Sequence, residues 1–191
     1  MKNSWDGDRD PLAALAAGNP DLFEDFVRTE TGTLLGFFRR LGGSQAEVED
    51  LFQDTVVKLF RSASLYSPKG RFEAYVFNAA RNVWIDSRRR AAVRGPVLST
   101  SSDEASGLLA SLEGSEREPF ERIEAHERAE LLRAAVQKLD DAHRIVFELG
   151  VIQGLAYAEV SEIVGVPVGT VKSRVHNAVA KLRDLLSMEG L

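Results

Sequence analysis

Between Gly169 and Asn177 the chain sets small and polar side chains beside cations, a pattern that can read and grip a nucleic acid. Thr170, Ser173, His176 and Asn177 carry hydrogen-bonding groups suited to base edges. Gly169 permits close approach, and Lys172, Arg174 and Lys181 can neutralise phosphates. At about 100° per residue, Gly169, Thr170, Ser173, His176 and Asn177 lie opposite an apolar stripe of Val171, Val175, Ala178 and Leu182. The preceding residues Leu155, Ala156, Val160, Ile163 and Val164 make a second, shorter stripe. Gly165, Val166 and Pro167 stand between the two, glycine to end one helix and proline to open the next. Residues 154–186 therefore read as a helix-turn-helix whose second helix is built for a DNA groove. Two ordinary packed helices are the plainer alternative.

A second group lies in RFEAYVFNAARNVWIDSRRRAAVRG, residues 71–95. Phe72, Tyr75, Val76, Ala79, Val83 and Trp84 share an inward face, while Arg81, Asn82, Arg88, Arg89, Arg90 and Arg94 lie outward or in a following loop. Amides beside guanidinium groups and aromatic rings suit an unpaired nucleic-acid strand, the amide reading a base edge and the cations holding phosphate. A cationic helix end that merely complements the helix dipole is the other reading.

A third group lies on the helix expected from Ser44 to Ser62. Val48, Leu51, Phe52, Thr55, Val56 and Leu59 form its core face. Asp50, Gln53, Asp54, Val57 and Arg61 form the opposite one, with Phe60 at the margin. An outward valine among acids and an amide fits either a partner with a basic helical surface or a solvated face with one stray apolar residue.

Catalytic chemistry finds no such grouping. His126, His143 and His176 are far apart, with no carboxylate pair or glycine-rich phosphate loop, so no enzyme, no cofactor and no metal site is expected. The chain has no cysteine, which excludes disulfides and thiolate metal sites and suits a reducing cytoplasm. No apolar run is long enough to span a bilayer, and the acidic MKNSWDGDRD start is unlike a secretion signal.

The elements that must position these groups read as helices throughout. Pro11–Ala17 is a short one, and Asp21–Leu41 is one or two more, ending at Gly42-Gly43. Ser44–Ser62 opens with a Ser44/Glu47 capping box. A turn at Ser67-Pro68-Lys69-Gly70 precedes a long helix over Arg71–Arg90. Phe120–Leu139 is helical, and Asp140–Gly150 leads into the helix-turn-helix. The expected fold is all-α: two helical domains, 10–94 and 120–188, joined by a flexible acidic linker over 95–119 rich in Ser and Gly. Leu108, Leu109 and Leu112 hint at a helical turn within that linker.

Charge is spread unevenly along the chain. The 191 residues carry a net −5, but residues 37–94 are net +5 and residues 95–130 net −6. A basic module followed by an acidic connector is the informative asymmetry.

The three segments, in this order, resemble the extracytoplasmic-function sigma factors, promoter-specificity subunits of bacterial RNA polymerase. AEVEDLFQDTVVKLFR is similar to the family's Asp-Leu-x-Gln-(Asp/Glu)-Thr helix. RFEAYVFNAARNVWIDSRRR is similar to its Phe-x-x-Trp-Leu-x-x-Ile-Ala-Arg-Asn-x-x-x-Asp-x-x-Arg-Arg stretch, with Tyr75 in place of Trp and Ala79 in place of Ile. LAYAEVSEIVGVPVGTVKSRVHNAVAKLRDLL is similar to its region-four helix-turn-helix. The resemblance implies that Asp50, Gln53, Asp54, Val57 and Arg61 dock on the β′ coiled coil of core polymerase. It implies that Arg81, Asn82 and the loop after Asp86, with Arg88, Arg89 and Arg90, engage the melted minus-ten element. Gly169, Thr170, Lys172, Ser173, Arg174, His176 and Asn177 would read the duplex minus-thirty-five element, next to the polymerase β flap. The acidic linker would pass near the active-site cleft and RNA exit path. Promoter DNA and an anti-sigma factor are the further partners implied, with no membrane insertion. A stand-alone helix-turn-helix regulator, and an interaction protein that binds no DNA, are the alternatives outside this family.

Overall fold

The computed structural model describes residues 5, 7–94 and 130–188. The expected linker, its leucines and the expected helical stretch 120–129 lie outside the described residues. Among the described residues every regular element is a helix.

Asp10 starts the first helix, α1 (Pro11–Ala16). Its carboxylate accepts the Leu12 and Ala13 backbone N–H groups at 3.0 and 3.1 Å, and it also takes the Tyr66 hydroxyl at 2.7 Å. That use of both oxygens explains how a carboxylate can be buried here. Helix α2 (Asp21–Arg40) is continuous, with Asp21 and Glu24 in its first turn and Arg39 and Arg40 in its last, each sign where the helix dipole favours it. It buries Phe23, Phe26, Leu34, Leu35, Phe37 and Phe38.

Helix α3 (Gln45–Ser62) has the expected capping box: Ser44 N–H donates to Glu47 Oε2 at 2.9 Å and Glu47 N–H to Ser44 Oγ at 3.5 Å. Val48, Leu51, Thr55 and Leu59 are buried as expected. Helix α4 runs over Phe72–Arg94 without interruption. Its Phe72 and Phe77 rings meet Phe26 and Phe37 at centroid distances of 5.0 and 5.3 Å. Phe77 and Ala80 are fully buried, which the sequence reading omitted from the inward face. Trp5 closes this bundle, its ring edge-on to Phe26 and its indole N–H donating to Glu30 at 3.2 Å.

The second bundle comprises α5 (130–137), α6 (Asp141–Phe147), α7 (Tyr157–Val164) and α8 (Val168–Met188). Asp140 caps α6 by accepting the His143 N–H at 3.1 Å. Beyond Phe147 the helix widens: Glu148–Ile152 is a turn of π-helix. One extra residue per turn rotates the following side chains, and here Glu148 and Leu149 point inward.

Part of this bundle's core is its own, built from Ala135, Val136, Leu139, Phe147, Ala178 and Leu182. The rest, including Val146, Leu149, Val160, Ile163 and Val171, is continuous with the core of the first bundle. The two bundles pack together, α4 against α7.

Candidate nucleic-acid interface

The helix-turn-helix forms as its residues dictate. Helix α7 ends at Gly165, whose φ of 74° is the left-handed conformation that glycine adopts without strain. Gly165 N–H donates to Ser161 O at 2.9 Å, and Ser161 Oγ to Val166 O at 2.6 Å, so one serine holds both sides of the turn. Pro167 accepts from Thr170 and Val171 N–H at 2.8 and 3.1 Å and opens α8. Ala156 departs from expectation: it is exposed and sits at the start of α7, where its N–H donates to Glu159, and it takes no part in the apolar stripe.

On α8, Val171, Val175, Ala178 and Leu182 are buried. Gly169, Lys172, Ser173, His176 and Asn177 are exposed, and Thr170 and Arg174 are half-buried. A Cβ at Gly169 would meet nothing within 4 Å. Among the described residues, no ion pair or side-chain hydrogen bond engages Lys172, Arg174, His176 or Asn177. Ser173 Oγ donates to Thr170 O at 3.0 Å within the helix, and Gly169 and Thr170 lie in the first turn of α8, where the dipole is positive and anions are favoured.

The α4 group is less unified. Asp86 to Arg90 continue the helix, so no loop follows Asp86; the run carries good helix formers and no glycine or proline before Arg94. Helical geometry then separates the arginines. Arg88 turns toward α3, its guanidinium 4.0 Å from the Trp84 ring centroid and donating to Glu47 Oε1 at 3.1 Å. Arg90 lies 3.8 Å from Asp54. Arg81 is half-buried, and burial lowers its pKa from the ordinary guanidinium value. Asn82 donates to Asn78 Oδ1 at 3.2 Å and accepts from Arg81 at 3.3 Å. Asn82 shares its side of α4 with Arg71, Tyr75, Asn78, Ile85 and Arg89, each at helical spacing and at least partly exposed. This stripe of ring, amides, one apolar residue and cations is the arrangement that suits an unpaired strand. Asn78 was missed by the sequence reading; its i, i+4 relation to Asn82 was the available signal.

Glu47 ties these elements together. Burial pushes its pKa up, but the Ser44 N–H and hydroxyl and the Arg88 charge outweigh that, and its carboxyl titrates below the ordinary value.

On α3, Asp50, Gln53, Asp54, Val57 and Arg61 are all exposed on one face, with Val57 at 45% and Phe60 at 57%. The Phe60 ring lies 6.1 Å from that of Phe23, extending an apolar strip among the acids.

Comparison with known proteins accounts for most of this chain. The family described as Sigma-70 region 2 matches residues 26–94, and the one described as Sigma-70, region 4 matches residues 129–182. The RNA polymerase sigma factor CnrH of Cupriavidus metallidurans is 30% identical over 190 residues, covering 98% of both chains. The ECF RNA polymerase sigma factor SigL of Mycobacterium tuberculosis is 29% identical, covering 94% of this chain and 97% of its own. The SigE protein of Mycolicibacterium smegmatis, with the same description, is 31% identical over 166 residues. This chain spans 62% of that relative's length. Among solved structures, CnrH in complex with the cytosolic domain of CnrY matches with a TM-score of 0.64 at 26% identity, covering 94% of this chain and 97% of that one. RpoE of Bartonella quintana in complex with the anti-sigma factor NepR matches with a TM-score of 0.66 at 22% identity, which establishes likeness of fold.

Proposed function

Because this chain belongs to the extracytoplasmic-function family of RNA polymerase sigma factors, we propose a division of labour among its exposed faces that delivers core polymerase to specific promoters. The observation that carries it is the order of the three faces along one chain, each on its own helix and each at least partly exposed. A stand-alone helix-turn-helix regulator has no use for the first two.

The α3 face docks on the polymerase β′ coiled coil through Asp50, Gln53, Asp54, Val57 and Arg61. Acids and an amide around Val57 give complementary charge at the rim and a small apolar centre. The α4 stripe, centred on Asn82, receives the melted minus-ten strand. Arg89 supplies phosphate contact, Tyr75 a stacking surface, and Asn82 and Asn78 the amides. The cost of unpairing is offset by these contacts, so capture selects the bases that fit. Helix α8 enters the duplex major groove at the minus-thirty-five element. Lys172 and Arg174 hold phosphates while Thr170, Ser173, His176 and Asn177 meet base edges. Proteins acting with core polymerase work in the cytoplasm, and an anti-sigma factor is a partner by analogy with the two complexes above.

Assembly with core enzyme tests the docking. Asp50→Arg should lower affinity for core at least tenfold in a titration by size exclusion or fluorescence anisotropy, with helical content and melting temperature unchanged, because its side chain is exposed. Unchanged affinity would remove α3 from the interface.

A further inference from the structure

Glu148 has no exposed surface, yet its counter-ion comes from the other bundle. Arg40 Nε and Nη2 each donate to one Glu148 oxygen at 2.8 Å. Gln153, itself buried, donates to Glu148 Oε1 at 2.9 Å. Both side chains are placed by backbone features. The π-turn aims Glu148 inward, and Gly36, one turn before Arg40 on α2, leaves the room that the guanidinium occupies. A Cβ at Gly36 would come within 2.9 Å of Arg40 Nη1.

The surrounding contacts have the same character. Arg144 donates to Leu41 O at 3.0 Å across the junction while also holding the Gln137 and Leu139 carbonyls at 2.8 and 2.6 Å at the end of α5. Arg71 donates to both Glu162 oxygens at 2.9 and 3.0 Å, and this bond raises the Arg71 pKa. Around that pair, α7 lies over one end of the α4 stripe. Tyr75, Asn78, Arg71, Glu159 and Glu162 line one cleft of about 200 Å³.

We propose that Arg40, Glu148 and Gln153 form a latch that holds the free chain closed, and that it must open before α4 and α8 engage one promoter. This rests on the promoter function proposed above. The minus-ten and minus-thirty-five elements are about 25 base pairs apart by name, which on duplex DNA at about 3.4 Å per pair is roughly 85 Å. A compact chain of this size has a radius of gyration of about 16 Å. With α7 against α4, the two DNA-reading helices cannot reach both elements. The α3 and α8 faces remain exposed while closed, whereas at the near end of the α4 stripe Arg71 is tied to Glu162 on α7 and Tyr75 is half-buried. The chemistry suits a releasable latch. Opening returns both ions to water, which recovers much of what pairing supplies, whereas loss of one partner leaves a buried charge alone and favours opening strongly.

The absence of cysteine gives a clean test. Ala74 and Ala158 line one cleft between α4 and α7. The Ala74→Cys/Ala158→Cys chain should be joined intramolecularly by a short bismaleimide with a reducible centre. Adding Arg40→Gln should slow that reaction about tenfold or more. Gly36→Ala, which keeps both charges and crowds the guanidinium, should slow it in the same direction; helical spectra and melting curves show that each variant is folded. The linked chain should bind core polymerase but fail to open promoter DNA, and reduction of the linker should restore opening. An equal linking rate with and without Arg40, or normal promoter opening by the linked chain, overturns the latch. If the unlinked chain opens no promoter at all, the function reading fails instead, and the rate comparison still decides the latch.

Discussion

At the residue scale, side chains of one type do different work, and α4 shows it. Arg88 and Arg89 are adjacent, but Arg88 stacks on Trp84 and pairs with Glu47, while Arg89 points outward with Asp86. Arg88→Ala should therefore lower the melting temperature, by about 1 kcal/mol of stability for the lost ring and carboxylate contacts. Arg89→Ala and Asn82→Ala should leave melting near wild type and reduce opening of the minus-ten region, tenfold to hundredfold for Asn82 if it holds one good base contact worth about 1–3 kcal/mol. Permanganate reactivity of opened thymines beside melting curves separates the two; a pre-melted template should restore part of the Asn82 loss. Glu47 offers a pH test. Its folded-state pKa is depressed, so its stabilisation is present above its unfolded value, near pH 4, and is lost as pH falls through the lower folded value. Glu47→Gln should cost about 1 kcal/mol at pH 7, and that difference should shrink as pH falls below about 4, read from urea midpoints at successive pH values. The capping box was legible because Ser44 and Glu47 stand three apart. The Arg88 contact was not, because it joins residues 41 apart.

At the element scale, α3 and α8 were legible and the π-turn was not. A 3.6-residue apolar period with a serine cap or a glycine-proline turn fixes a helix and its outward face locally. Thus Asp50, Gln53, Asp54, Val57 and Arg61 come out exposed together, as do most of the α8 residues. The π-turn at Glu148–Ile152 changes that period within an apolar run, and its consequence is settled by a partner on another helix. The one local sign was a lone acid in RIVFELGVI. The end of α4 was misread for a related reason: an arginine run reads as a helix end, but here Glu47 and Asp54 on α3 hold Arg88 and Arg90 against a continuing helix. Helix α8 carries its own prediction. Lys172→Ala should weaken duplex binding across sequences and reduce the slope of log affinity against log salt by about one. Thr170 or Ser173 substitutions should instead change which bases are preferred. Binding that ignores both kinds of change would contradict the groove docking.

At the scale of the whole molecule, the order of the parts matters more than any one contact. A bundle with a docking face and a strand-reading stripe precedes a bundle that presents a groove-reading helix. Both the family matches and the exposed faces follow that order. The sequence showed the two bundles, but their packing depends on pairs such as Arg40 with Glu148, 108 residues apart, which no local pattern announces. The central claim is that this one chain gives core polymerase its choice of promoter. Mapping transcript 5′ ends made on genomic DNA from the source organism, by core polymerase with and without this protein, tests it most directly. The account predicts a small set of start sites that appear only with the protein, share sequence near minus ten and minus thirty-five, and disappear with Asp50→Arg. Identical 5′ ends with and without the protein would contradict it.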